Sequence, residues 1–146
     1  MRRPKKLEAL LELRNRAVEA AEMAVAARVR DTASARATLT ECQAHYEAGL
    51  TEASRMSEDG WESAWDLGYR RAHLETLRAR ITRALSALDD ASKEEDRARG
   101  VLVDAKREHK KVELWCDARA RELQQEDDRE ERKATDELAL RVARQS

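Results

Sequence analysis

Apolar residues recur along this chain at alternating spacings of three and four, in two long runs that each keep one register. The first run is Leu11, Arg14, Val18, Ala21, Val25, Arg28, Thr32, Ala35, Leu39, Cys42, Tyr46, Gly49, Ala53 and Met56. The second run is Leu74, Leu77, Ile81, Ala84, Leu88, Ala91, Glu95, Ala98, Leu102, Ala105, His109, Val112, Cys116, Arg119 and Leu123. A repeat of 3.5 residues keeps one stripe of a helix facing a partner helix, which is the condition for a coiled coil. We call these two runs the seam and predict two long helices packed along it.

The composition agrees with a narrow seam rather than a thick core. Ala, Glu, Lys, Leu and Arg make up 90 of the 146 residues, and Phe is absent. Such a preponderance of helix formers is typical of long helices and coiled coils. The fold class is therefore predicted to be all-α.

One short interruption, Ser57-Glu58-Asp59-Gly60, separates the two runs. Asp59 and Glu62 have the spacing of a capping box at the start of a helix. Gly60 can instead close the first helix, because glycine adopts left-handed backbone angles at little cost. We predict a single coiled-coil domain over 1–146, with helix one at about 5–57, a turn at about 58–61 and helix two at about 62–141.

The early position of this turn makes the second helix the longer one. In an antiparallel hairpin that turns near residue 61, paired positions have numbers that add to about 122, so residues after about 123 have no opposite helix. The seam also ends at Leu123, and Ala134 is the only apolar residue between Gln124 and Glu137. The sequence thus predicts an antiparallel coiled-coil hairpin whose second helix overhangs by about 35 Å.

Charge and hydropathy exclude several classes of protein. The 29 basic residues nearly balance the 30 acidic ones, and apart from the short basic start no basic stripe marks a nucleic-acid-binding face. No apolar run reaches the roughly 18 residues needed to cross a membrane. Glu8, Glu12 and Glu19 interrupt any apolar stretch typical of a signal peptide. We expect a cytoplasmic protein that neither binds nucleic acid nor inserts into a membrane.

Side chains capable of catalysis or metal binding are scattered. His109 and Cys116 are seven residues apart, but no third or fourth ligand stands at the usual spacing for zinc. The acidic cluster at 126–128 lies on a polar helix without a cleft, where we expect a solvated face rather than catalytic carboxylates. Cys42 and Cys116 would lie roughly 50 Å apart in the hairpin, so they cannot form an intramolecular disulfide. The sequence predicts no enzyme activity, no cofactor and no metal.

The C-terminal stretch 130–139 resembles a known sequence motif, close to E-x-K-x-x-D-E-x-A. Its residues are Glu130-Glu131-Arg132-Lys133-Ala134-Thr135-Asp136-Glu137-Leu138-Ala139. It is found in the stalk proteins of type III secretion, the SctO or YscO group, which are relatives of the flagellar export protein FliJ. A helix of about 50 residues, a short loop with glycine and then a longer helix occur in the same order in that family. The resemblance spans nearly the whole chain.

This resemblance implies a non-catalytic stalk, similar to the central stalk of rotary ATPases, that links the hexameric secretion ATPase to the cytoplasmic domain of the export gate. It also implies a location at the cytoplasmic face of the apparatus and, in some relatives, the escort of export chaperones. The gate-contacting pattern of the family falls here on two series, Ala35, Leu39, Cys42 and Tyr46 in helix one and His73, Leu77, Arg80 and Ala84 in helix two. The residues expected to contact the gate are Leu39, Tyr46, His73 and Leu77, and packing in the seam is the alternative role of Leu39, Tyr46 and Leu77. The terminal end implied to enter the ATPase carries Arg2, Arg3, Lys5, Glu130, Glu131, Lys133, Asp136 and Glu137.

Two other functions fit the same pattern. An oligomeric coiled-coil adaptor or scaffold would use the seam between chains, whereas the hairpin predicts a monomer or weak self-association. A secretion chaperone would present a helical surface to an exported protein.

Overall fold

The structure, a computed structural model, describes residues 3–58, 60 and 63–145. Helix α1 spans Lys5–Glu58 and helix α2 spans Ala64–Gln145, and the described residues contain no strand. The two helices pack against each other, which confirms the predicted all-α hairpin with a longer second helix. Pro4 precedes α1, where the missing N–H of a proline costs no hydrogen bond, and its carbonyl accepts the N–H of Glu8 at 3.0 Å.

Backbone geometry and a side-chain cap define the turn between the helices. Gly60 has φ of 71°, and its N–H donates to the carbonyl of Ser57 at 3.3 Å, as expected for a glycine that follows a helix end. Ser63 caps α2, because its Oγ accepts the N–H of Asp66 at 3.2 Å and donates to Oδ2 of that residue at 2.9 Å. The capping box predicted for Asp59 and Glu62 lies outside the described residues.

The chain divides into two compact units. One contains the described residues of Met1–Glu22 and Val101–Ser146, and the other is Met23–Gly100. In the first unit the start of α1 packs on the second half of α2, and Ala21, Val112, Cys116 and Ala120 are buried there. In the second unit the rest of α1 packs on the first half of α2, with Thr32, Leu77 and Ala84 buried.

Burial follows the predicted seam closely. Apart from Arg28, every residue of the first run is buried or half-buried, and apart from Arg119 the same is true of the second run. The polar seam residue Thr32 satisfies its hydroxyl within its own helix, since Oγ1 donates to the carbonyl of Arg28 at 3.0 Å. A 3.5-residue repeat is therefore sufficient to identify which face of each helix is covered.

The seam changes spacing near its end. The prediction that Arg119 lies on the seam is wrong. Ala120 is buried instead, and Arg119 points to solvent with Nη1 2.9 Å from Oε2 of Glu122. A helix with 3.6 residues per turn drifts relative to a strict 3.5 repeat, so a step of four after Cys116 keeps the stripe facing α1. Burying the alanine also avoids desolvating a charge.

Hydrogen bonds and ion pairs between the helices fix the antiparallel register within each unit. In the first, Arg3 Nη2 lies 2.9 Å from Asp117 Oδ1, and the Cys116 thiol donates to the carbonyl of Leu7 at 3.5 Å. In the second, Arg70 Nη1 donates to the carbonyl of Ala53 at 3.0 Å. The numbers of each pair add to about 122, as antiparallel pairing about the observed turn requires.

Candidate interaction sites

Helix α2 continues beyond the end of the seam as a fully exposed segment, residues 124–145, which we call the arm. Leu123 is the last half-buried side chain, and every described residue after it is exposed. At 1.5 Å per residue the arm is about 33 Å long. Because no part of α1 covers it, its side chains are available to another molecule.

The arm is densely charged, and the described residues form few bonds along it. Gln124 Nε2 donates to Asp128 Oδ1 at 3.2 Å, and Thr135 Oγ1 donates to the carbonyl of Glu131 at 2.8 Å. No ion pair joins two charged side chains of residues 124–145 in the described part of the chain. Charged side chains that are not paired with each other keep their full capacity to pair with a partner.

Apolar side chains are exposed at the far end of the arm, which sequence reasoning did not single out. Leu138, Leu140 and Val142 are between 59% and 64% exposed. Ala134, Leu138 and Val142 are four residues apart, a spacing that places them on one side of a helix and that the sequence already displays. The end of the arm therefore combines charge with a short apolar stripe.

The residues predicted to contact the ATPase lie in different settings. Glu130, Glu131, Lys133, Asp136 and Glu137 are all exposed on the arm, and Lys5 is exposed at the start of α1. Arg3 is bound to Asp117 in the same unit, so its charge already has an internal partner. Arg2 lies outside the described residues.

A second candidate site is a groove beside the turn, within the Met23–Gly100 unit. It is a cavity of about 640 Å³. Its lining residues are His45, Ala48, Gly49, Glu52, Ala53, Met56, Asp66, Tyr69, Arg70, His73, Leu74, Leu77 and Arg80. Apolar side chains from both helices are interspersed with two histidines, two arginines and two acidic residues, a combination suited to binding another polypeptide.

Gly49 lets the two helices approach closely at this groove. A Cβ atom at this position would lie 3.1 Å from Leu77 Cδ1 and 3.3 Å from Leu74 Cδ2. Those distances are shorter than ordinary van der Waals contact between carbon atoms. The two leucines therefore fill the space that a side chain would otherwise take.

Of the four residues predicted to contact the gate, His73 and Leu77 lie together and line the groove. His73 is exposed, whereas Leu77 is only 4% exposed and packs beside Gly49. Tyr46 lines a separate depression, where its hydroxyl accepts a hydrogen bond from Arg78 Nε at 3.1 Å. Leu39 is half-buried in the seam.

Arg80, which belongs to the same family pattern as His73 and Leu77, also lines the groove, and Met56 was predicted only as a seam residue. Sequence reasoning missed Tyr69 and Arg70. Arg70 is half-buried because it reaches across to the backbone of α1, where it binds the Ala53 carbonyl. No periodic pattern in the sequence indicates such a reach, because it depends on how far apart the two helices stand near the turn.

No group of His, Cys, Asp or Glu side chains among the described residues is arranged to hold a metal ion. Cys42 and Cys116 are both free thiols on the seam. None of the described helices combines the length and the apolar character that a membrane span requires.

Fold and surfaces together define a class of protein: an all-helical hairpin with an exposed arm and a groove beside its turn. Residues 4–146 match the family described as flagellar FliJ protein, so the chain belongs to that family. It is a non-catalytic structural family whose role in flagellar and type III export is that of a stalk. The curated proteins and the solved structures gave no match to the chain.

Proposed function

We propose that this protein is the stalk of a type III secretion apparatus of the SctO type, coupling the hexameric secretion ATPase to the export gate in the cytoplasm. The observation that carries the proposal is the arm: α2 runs on as exposed, charged helix after the seam has ended at Leu123. A helix of this kind gains little from its own chain, because isolated helices depend on packing for most of their stability. Membership of the flagellar FliJ family supports the proposal that the arm binds a component of the export machinery.

In this proposal the arm enters the ATPase ring. Short runs of acidic and of basic side chains follow one another along residues 126–137, with Glu130, Glu131 and Lys133 exposed. A surface with both signs of charge can match a ring of mixed charge and fix its own rotational setting by pairing and repulsion. The exposed Leu138 and Val142 add apolar area to the same contact.

The groove beside the turn is the proposed contact for the cytoplasmic domain of the export gate. His73 and Leu77 line it, and Leu77 is held in place by its packing beside Gly49. An open groove with apolar walls and both acidic and basic side chains among its lining residues can receive a helix or an extended segment of the gate protein. Export chaperones are a further class of partner that the same groove suits.

Deleting residues 124–146 tests the assignment of the arm. We expect the shortened chain to lose its stimulation of the purified cognate secretion ATPase, because the proposed contact is gone. Circular dichroism should still show a folded helical hairpin, since the whole seam is kept. The shortened chain should also still bind the isolated gate domain, because the groove lies in the other compact unit.

A matched pair of charge reversals sharpens the same test. Glu130→Lys with Glu131→Lys changes the arm, whereas Glu41→Lys with Glu47→Lys makes an equal charge change on the exposed face of α1. We expect only the first pair to weaken ATPase stimulation. Full stimulation by the deletion variant, or equal losses from both charge reversals, would overturn the proposed role of the arm.

A further inference from the structure

Three basic side chains line the half of the groove that lies farther from the turn. His45, His73 and Arg80 are all exposed there. Residues 73 and 80 are seven apart in α2, so they lie on the same side of that helix about two turns from each other. Tyr46 is bonded to Arg78, so the neighbouring His45 of α1 stands opposite the part of α2 between the other two. We call these three residues the basic cluster.

The other charged side chains of the groove already have partners within the chain. Oε1 of Glu52 lies 2.9 Å from Nη2 of Arg55, and Oδ2 of Asp66 accepts the Ser63 hydroxyl at 2.9 Å. Arg70 donates to the backbone of α1 at 3.0 Å. In the described part of the chain, by contrast, the three side chains of the basic cluster form no hydrogen bond and no ion pair. Their full capacity to bind an anion is therefore unused.

Arginines close to the groove do not belong to this cluster. Arg71 lines a separate depression together with Tyr46, and Arg55 lines another together with Glu58. The charge available to a molecule in the groove is therefore that of the basic cluster, beside the paired Glu52 and Asp66.

The floor of the groove indicates what kind of anion fits. Leu74 and Leu77 pack beside Gly49 and form an apolar surface next to the basic cluster. A molecule that covers this surface gains most when it offers apolar groups beside its negative charge. A polypeptide segment with leucine-like side chains and an aspartate or glutamate does so, whereas the phosphates of a nucleic acid are joined to polar sugars.

We propose that the basic cluster binds the carboxylate of an acidic side chain in a polypeptide segment docked in the groove, and that this contact strengthens as the pH falls. Histidine changes its charge between pH 5 and 8, so acidification adds positive charge at His45 and His73 beside the permanent charge of Arg80. Carboxylates and guanidinium groups keep their charge over most of this range. The proposal rests on the groove being a docking site, as in the proposed function, but it holds for any partner with such a segment.

A pair of synthetic peptides tests the charge preference. The probe is an uncharged amphipathic peptide of about twelve residues, matched to the roughly 17 Å from Tyr69 to Arg80, with a single glutamate at its C-terminal end. Its counterpart carries glutamine there. Nuclear magnetic resonance of the full-length ¹⁵N-labelled chain follows the amides of Gly49 and Leu77. We expect the glutamate peptide to bind about threefold more tightly at pH 8, the size of one exposed ion pair, and about tenfold more tightly at pH 5.5.

Substitutions in the cluster separate its two parts. Arg80→Gln should remove the preference for the glutamate peptide at pH 8, because the permanent charge is gone. His45→Gln combined with His73→Gln should keep that preference but make it equal at both pH values. Arg107→Gln, at an exposed arginine elsewhere on α2, is the matched control and should bind like the parent chain. Circular dichroism should show the same helical content in all four proteins, since every substituted side chain is exposed.

Several outcomes would overturn the proposal. These are equal binding of the two peptides, no saturable shift with either, a preference that does not change with pH, or equal losses from Arg80→Gln and Arg107→Gln. Inorganic phosphate that shifts the same amides as strongly as the glutamate peptide would also contradict it. If the glutamate peptide binds as expected but the isolated gate domain does not bind, the proposal stands and the assignment of the groove to the gate is wrong.

Discussion

Single residues decide how closely the two helices pack. Most seam positions carry alanine or a branched aliphatic side chain, but Gly49 removes the side chain altogether and admits Leu74 and Leu77 of the opposite helix. Glycine lowers helix propensity, so its use here exchanges local helix stability for the packing of two large apolar side chains. Gly100 carries the same propensity cost with no neighbouring side chain to fill the space.

Replacing these two glycines with valine should have effects of different size. Gly49→Val forces its side chain into space that the two leucines occupy, and we expect a loss of about 1–3 kcal/mol in the free energy of unfolding. Gly100→Val meets open space and should change that free energy by less than about 0.5 kcal/mol. Urea unfolding followed by circular dichroism measures both, and equal effects would show that close packing at Gly49 is unimportant.

At the scale of the helix, the start of α2 depends on one hydroxyl group. The Ser63 Oγ accepts the N–H of Asp66, one of the backbone donors that lack a partner at the beginning of a helix. Asp66 stands in the first turn, where its negative charge interacts favourably with the positive end of the helix dipole. These two residues fix where α2 begins and therefore which part of it lines the groove.

Removing the cap should loosen this end of α2 selectively. We expect Ser63→Ala to cost about 1 kcal/mol and to speed hydrogen exchange at the amides of Asp66 and Leu67. Ser86→Ala, at an exposed position in the middle of α2, should instead stabilise the helix by up to about 0.5 kcal/mol. Unchanged exchange rates in the first variant would mean that the observed cap does not hold the helix end in solution.

At the scale of the molecule, the seam is used inside one chain. The covered residues of α1 face α2 in each compact unit, so the stripe that an oligomeric scaffold would need between chains is already occupied. Opening the hairpin to form such an oligomer would expose that apolar area to water, with no gain in seam packing per chain. We therefore propose that the protein is a monomer rather than an oligomeric scaffold.

Light scattering should give a mass close to 16.7 kDa for the full-length protein. A variant with five alanines in place of residues 59–63 removes the glycine and the cap, which favours one continuous helix whose seam is uncovered. That variant should form dimers or larger species, because only another chain can then cover the stripe. A parent chain that is dimeric at low micromolar concentration would contradict the hairpin as the form in solution.

Much of the fold follows from local pattern. The 3.5-residue repeat identifies the covered faces, Gly60 marks the end of α1, and the end of the seam at Leu123 marks where the arm begins. These features are predictable because helix formation and the covered face depend on residues three and four apart. The choice of Ala120 over Arg119 was not predictable from the repeat alone, since it depends on how a helix of 3.6 residues per turn drifts relative to a 3.5-residue repeat.

For the candidate sites as well, some features follow from the sequence and others only from the tertiary structure. The sequence by itself determined an all-helical hairpin, its long polar arm and the absence of any regular spacing of catalytic or metal-binding residues, because each of these is a matter of composition and short-range periodicity. Only the tertiary structure decided that His73 and Leu77 share a groove while Tyr46 lies in another depression, and that Arg70 reaches the backbone of the opposite helix. The groove and the Arg70 contact bring together residues of different helices, such as Arg70 and Ala53, which are 17 positions apart in the chain. They depend on the distance and rotation between two helices, which no pattern within one helix specifies.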